Sequence, residues 1–258
     1  MLNLPRYGGE LMNADFVEFR RGVVSPMECI KEGWALIKDQ YWLFFGISLV
    51  GFFLGSLFAL VLMGPMMVGI FICLQQRQRN QPVEFGTLFK GFELFVQGLV
   101  VTVLKFIPMM VIIIPYYIFL LGMMMTLRGR QISSPDEGQQ VVLSMFAVEI
   151  VFFFAMLAVS LVTELFFLLA YPLVADRKLS GLDAVKLSFR AGKANLGGIL
   201  GLLLLNGLFG FIGVLCCFVG AYFYLPVAFA SHVVAYRRIF PDTGTNLPSP
   251  PPPPGVWA

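Results

Sequence analysis

The sequence predicts an all-α protein: a polytopic membrane bundle of about six spans, with an internal repeat of an interfacial amphipathic helix plus a helical hairpin. Three observations predict it. Hydrophobic residues make up 58% of the 258 residues and charged residues 13%, with a mean hydropathy of +0.83; a soluble domain carries about a quarter charged residues. Four apolar blocks, 41–74, 94–127, 141–175 and 196–236, each exceed the ~18 residues that mark a membrane span. Finally, a segment starting at Ser25 recurs at Ser180.

The recurrence is specific. Ser25-Pro26-Met27-Glu28-Cys29-Ile30-Lys31 aligns with Ser180-Gly181-Leu182-Asp183-Ala184-Val185-Lys186. It continues through Trp34 and Phe189, Lys38 and Lys193, and Gln40 and Asn195. The apolar blocks that follow also end alike, with Pro65 aligned to Pro226 and Arg77 to Arg238. Duplication of a polar helix and its membrane segment is a known way to build polytopic proteins. The repeat units are 25–77 and 180–238, with long central spans at about 94–127 and 141–175 between them.

Charge sets the expected topology. Arg6, Arg20, Arg21, Lys31 and Lys38 precede the first block; Arg77, Arg79 and Lys90 follow it. Arg177, Lys178, Lys186, Arg190 and Lys193 precede the last block, and Arg237 and Arg238 follow it. In the loop 128–140, Arg128 and Arg130 are offset by Asp136 and Glu137. The positive-inside rule makes the basic regions cytoplasmic and that loop external, with both termini cytoplasmic. Blocks one and four return to their starting side, as double spans or re-entrant hairpins, with Gly213 and Gly220 bracketing the turn of block four. Blocks two and three read as single long helices. Residues 1–24 carry Glu10, Asp15 and Glu18 and read as a cytoplasmic segment rather than a signal peptide. The expected location is a bacterial cytoplasmic membrane.

The repeated polar segments predict helices lying in the interface. Ser25 through Glu28 reads as a capping box with proline at the first helical position, and Ser180 through Asp183 as its counterpart. Met27, Ile30, Trp34, Ile37 and Tyr41 recur three or four apart, with Glu28, Lys31, Lys38 and Asp39 on other faces. The run Phe85-Gly-Thr-Leu-Phe-Lys-Gly-Phe reads as a further interfacial piece. Gly51 and Gly55, Gly197 and Gly201, and Gly207, Gly210 and Gly213 mark expected close approaches between helices. Pro108 and Pro115 interrupt block two. Cys29, Cys73, Cys216 and Cys217 form no CxxC and read as small apolar residues.

Signatures of catalysis are missing: HExxH, GxSxG, GxGxxG and Walker A patterns do not occur, and His232 is the sole histidine. The reading is a non-enzyme with no cofactor, no metal and no nucleic-acid partner. Ionisable residues inside apolar blocks are the functional candidates, because their burial in lipid costs several kcal/mol. Depth matching about the loop near residue 134 places Lys105 opposite about residue 163, so Glu164 is its expected partner. That pair reads either as a structural lock or as a relay. Glu149, Asn206 and His232 are further candidate polar residues of a cavity.

After Phe240 the composition changes. Residues 241–258 end in Pro250, Pro251, Pro252, Pro253, Pro254, Gly255, Val256, Trp257 and Ala258, a polyproline II tail. Pro250 to Pro254, Gly255 and Trp257 would suit a polyproline-binding cytoplasmic domain of the GYF type.

Several motifs carry a resemblance. They are Tyr171-Pro-Leu-Val-Ala-Asp-Arg-Lys-Leu-Ser-Gly-Leu-Asp-Ala-Val-Lys-Leu-Ser-Phe-Arg, Asn195, and the glycine-rich pair ending Ala235-Tyr-Arg-Arg. Gly64-Pro65, Gly69 and the polar run 75–81 belong to the same set. Over roughly residues 25–240 the chain resembles a group of prokaryotic multi-pass integral-membrane proteins of unknown function, related to the membrane domain fused to some glycerophosphodiester phosphodiesterases. The resemblance implies a membrane fold and brings no catalytic residues. The expected role is a membrane scaffold or accessory subunit, in contact with the lipid bilayer and in a homo- or hetero-oligomer, that recruits a cytoplasmic partner. The competing expectation is a small transporter or export component using the intramembrane Lys and Glu residues.

Overall fold

A computed structural model describes residues 18–58, 60–128, 135–216 and 219–241. The tail candidates Pro250 to Pro254, Gly255 and Trp257 lie outside the described residues. Among the described residues all regular structure is helical: α1 Pro26–Ile37, α2 Tyr41–Leu57, α3 Met63–Gln78, α4 Phe95–Arg128, α5 Pro135–Phe167, α6 Ala170–Arg177, α7 Gly181–Ala194, α8 Leu196–Leu215 and α9 Val219–Ile239. A 3-10 segment, Phe85–Leu94, leads into α4. Five helical stretches are long and apolar enough to cross a membrane.

The start of α7 follows its sequence. Ser180 Oγ accepts from the Asp183 N–H at 3.2 Å and donates to the Asp183 carboxylate at 2.7 Å. The expected box at α1 does not form in full. Ser25 is the N-cap residue, but its side chain makes no cap bond, and Arg238 of α9 binds the Glu28 carboxylate at 2.9 Å. A guanidinium competes well against a neutral N–H for a carboxylate. Helix ends elsewhere use left-handed backbone. Asn80, after α3, has φ 56° and Lys178, after α6, φ 51°.

Block two is the single long helix expected, and α4 runs as helix through Pro108 and Pro115. The third block is not one helix: it breaks at Leu168–Leu169, between α5 and α6. Pro172 has no N–H to give to the Leu168 carbonyl, so the ladder loses a bond at this break. Gln75 Nε2 of α3 donates to the Pro172 carbonyl at 3.0 Å and ties α3 to α6.

Six of the helices form three antiparallel hairpins, α2–α3, α4–α5 and α8–α9. They pack in a closed order, α3 on α4, α5 on α8 and α9 on α2. The three amphipathic segments dock on them in matching fashion. The segment α1 lies on α9 and α8, Phe85–Leu94 on α3 and α2, and α7 on α5, α6 and α4. Small residues make the first two contacts possible. A Cβ on Gly33 would stand 2.7 Å from the Ser231 nitrogen, and one on Gly91 2.0 Å from the Pro65 carbonyl oxygen. On α7 the equivalent residue is Ser188, whose hydroxyl donates to the Phe166 carbonyl.

The other glycines divide. Gly51, Gly55, Gly201 and Gly213 are at close approaches within this chain, whereas Gly197, Gly207 and Gly210 face open space. Gly198, not singled out by its spacing, packs against Val24.

The core sits at the end where α3, α6 and α9 finish. Phe71, Leu74, Leu173, Tyr236 and Phe240 are buried there. At the other end the hairpins are apolar outward, as lipid-facing helices are. Arg77, Arg79, Arg177, Arg237 and Arg238 cluster at the core end, here called the basic face. Both described chain ends are there too, joined by the Arg20 N–H to Ile239 carbonyl bond of 2.8 Å.

Candidate functional site

Lys105 and Glu164 are brought together. Their position follows from hairpin geometry: each lies on a helix that returns past the other, so residues equidistant from the turn meet. Lys105 Nζ lies 2.5 Å from Glu164 Oε2, and the side chains keep 26 and 35% of their surface. The Lys105 ammonium also stands 5.7 Å from the centre of the Tyr171 ring, a cation–π distance. Tyr171 OH and Thr102 Oγ1 share a hydrogen bond of 3.1 Å, and Thr102 donates to the Gly98 carbonyl. Met63, Met67, Lys105, Phe106, Met109 and Tyr171 enclose a cavity of about 150 Å³. It has room for a few water-sized molecules and is mostly apolar.

A second polar group lies across the ring. Asn206 Nδ2 donates to Ser231 Oγ at 3.0 Å and lies 3.3 Å from His232 Nε2. Tyr224 OH donates to Asn206 Oδ1 at 2.6 Å. Together these bonds tie α8 to α9. Neither Asn206 nor His232 lines the cavity beside Lys105.

Glu149 is not part of either group. It is exposed on α5, where the Tyr116 hydroxyl donates to its carboxylate, and the Tyr116 ring stacks on Phe152 at 3.5 Å. Fifteen residues of helix separate Glu149 from Glu164, or about 22 Å at 1.5 Å per residue. The two carboxylates therefore lie at different depths, and Glu149 is not among the residues lining the cavity beside Lys105.

Sequence reasoning missed Tyr171, Thr102, Tyr224, Ser231 and Tyr116. A tyrosine in an apolar block reads as a core aromatic, and only its neighbours reveal a hydrogen-bonding role. It also missed Asp176, which joins three elements at the basic face. Asp176 binds Arg79 after α3, Arg237 of α9 at 3.4 Å and the Tyr236 hydroxyl at 2.6 Å, with its side chain 6% exposed. Arg238 reaches Glu28 and Glu32 of α1 at 2.9 and 2.8 Å. Burial pushes the Cys29 thiol in α1 up to about 11, which disfavours a reactive thiolate. No group of three or more His, Cys, Asp or Glu side chains placed to hold a metal ion occurs among the described residues.

The fold and these groups define an all-helical membrane protein. Comparison with protein-family models, curated proteins and solved structures finds no match to the chain.

Proposed function

We propose that this protein is a non-enzymatic membrane scaffold or accessory subunit of the bacterial cytoplasmic membrane, with the basic face and both termini in the cytoplasm. In this reading the chain consists of three units, each an amphipathic segment followed by a hairpin, with six membrane-inserted helices in all. The closed packing order of the hairpins supports it, as does the matching docking of α1, Phe85–Leu94 and α7. The Ser25 and Ser180 segments start two of those units. Membership of the prokaryotic membrane-protein group that residues 25–240 resemble belongs to the same proposal, without phosphodiesterase activity.

The observation that carries the scaffold reading over transport is local satisfaction of the intramembrane charges. Lys105 is met by Glu164, and Glu149 by Tyr116, at depths about 22 Å apart on one helix. A relay needs groups that can exchange protons or ligand with each other, whereas these partners immobilise one another. The salt-linked basic face then presents α1, Phe85–Leu94, α7 and the proline-rich tail to a cytoplasmic partner.

Purification in mild detergent with quantitative mass spectrometry tests the reading, on the full chain and on a chain ending at Phe240. A partner held by the full chain and lost from the shorter one supports recruitment through the tail. Identical sets from both remove the tail from the function.

A further inference from the structure

The helix α7 carries two exposed lysines, Lys186 and Lys193, seven residues apart. Seven residues are close to two helical turns, so both ammonium groups stand on one side of the helix. Phe189 lies between them, three residues after Lys186 and four before Lys193, and is 40% exposed. The Lys193 ammonium sits 4.7 Å from the centre of its ring, a cation–π distance. Neither lysine is ion-paired among the described residues. Asp183, the sole carboxylate of α7, accepts from the Ser180 hydroxyl at 2.7 Å.

An apolar groove opens beside the same ring. Phe189 lines it with Pro108 of α4 and with Ala158, Val162, Thr163 and Phe166 of α5, and its volume is about 410 Å³. The Phe166 and Phe189 rings lie 4.3 Å apart, centre to centre. From Phe166 the groove follows α5 for eight residues to Ala158, towards the α4–α5 loop, or about 12 Å. Thr163, itself buried, is the one polar residue among those that line it. Ile107, Leu157 and Val162 are exposed around it, as on a lipid-facing helix surface.

Two ammonium groups thus crown one end of an apolar slot. The two features fit the two halves of one molecule, an anionic head and a hydrocarbon chain. An acidic peptide would meet the lysines and leave the slot unfilled. A neutral lipid would fill the slot and leave the lysines unmet. The α1 segment repeats the polar half. Lys31 and Lys38 bracket the exposed Trp34 at the same spacing. The carboxylates near them are taken by arginine, Glu28 and Glu32 by Arg238 and Asp39 by Arg77. Arginine closes the basic face on itself, and the lysines of both segments remain for anions from outside the chain.

We propose that the α7 groove holds one acidic phospholipid, with an acyl chain along α4 and α5 between Pro108 and Ala158 and its anionic headgroup over Lys186 and Lys193. The site stands whether or not the tail recruits a partner. Hydrocarbon in the groove gives little preference for one lipid over another, because the surrounding tails are equally apolar. Discrimination comes from headgroup charge, to which each lysine contributes roughly a factor of five.

Native mass spectrometry of the full chain, released from detergent with dioleoyl phosphatidylglycerol or dioleoyl phosphatidylcholine added, tests the site. The native chain should retain one phosphatidylglycerol at least about fivefold better than phosphatidylcholine. Lys186→Gln with Lys193→Gln should abolish that preference, and Lys31→Gln with Lys38→Gln should keep it. Val162→Trp replaces an exposed side chain and fills the groove, so it should reduce retention of both lipids. Equal retention of the two lipids by the native chain overturns the proposal, as does a preference that survives loss of Lys186 and Lys193. A preference lost equally in the α1 variant marks a diffuse basic surface and overturns it too, and unchanged retention in Val162→Trp overturns the placement of the chain. Thermal unfolding in detergent gives a second reading. Added phosphatidylglycerol should raise the midpoint of the native chain and not that of the Lys186→Gln, Lys193→Gln variant; an equal rise in both overturns the site.

Discussion

Lys105 of α4 meets Glu164 of α5 with 2.5 Å between Nζ and Oε2, and its ammonium faces the Tyr171 ring on α6. One ion pair thereby joins both strands of the long hairpin to the short helix that leads to the basic face. Its structural role gives a double-mutant test. Lys105→Met or Glu164→Met alone leaves a charge without its partner and should lower stability by about 2–4 kcal/mol, while the double variant recovers most of it. Thermal unfolding in detergent measures all three. A double variant that folds well but loses a measurable flux would favour the transporter reading.

Docking of Phe85–Leu94 on α3 depends on Gly91. A Cβ there would overlap the Pro65 carbonyl oxygen and the Gly69 backbone, and backbone cannot swing aside. Gly91→Val should destabilise by at least the ~1–3 kcal/mol of overpacking. Gly86→Ala, where a Cβ meets nothing within 4 Å, should be close to neutral. Similar unfolding temperatures for the two variants would contradict this docking.

Asp176 and Asp39 are both ion-paired, yet they should respond very differently. The Asp176 side chain is 6% exposed and serves Arg79, Arg237 and Tyr236, whereas that of Asp39 is 65% exposed and serves Arg77 at 3.3 Å. Asp176→Asn should cost about 3 kcal/mol and open the basic face to limited proteolysis. Asp39→Asn should stay within ~1 kcal/mol.

The Arg238 guanidinium, hydrogen-bonded to Glu28, holds that carboxyl below the usual carboxylate range. A group lowered on folding stabilises above its unfolded value, about 4.3 for glutamate. That contribution is lost as pH falls through the lower folded value. The α1–α9 contact should therefore loosen below about pH 4, by a small amount because Glu28 is exposed. Amide exchange along α1 in the native chain and in Glu28→Gln reads this out. The variant should show raised exchange at neutral pH and little further change on acidification.

Much of the helical layout is legible one segment at a time. The helix following Ser180 starts where Ser180 and Asp183 place it, and the α8–α9 turn falls between Gly213 and Gly220. The Lys105–Glu164 meeting is legible because antiparallel neighbours joined by one loop share a depth scale. Tyr171 and Thr102 beside that pair were not, since their hydroxyls matter only through partners dozens of residues away. The Pro172 break was hidden by an unbroken hydrophobic pattern on both sides of it. Arg238, more than two hundred residues distant, takes the Glu28 carboxylate that the box at Ser25 would use.

The sequence by itself determined which helices are apolar enough to cross a membrane, because transfer from water to hydrocarbon is close to additive over neighbouring side chains. It also determined which segments are amphipathic, from the spacing of their apolar residues. Only the tertiary structure decided that α9 closes against α2, that Asp176 gathers the ends of α3, α6 and α9, and that Leu60 stops beside Val103 and Pro115 of α4. Such relations are set by shape complementarity between surfaces far apart in the chain, where a glycine with no Cβ lets one backbone approach another. No local property of either segment records them.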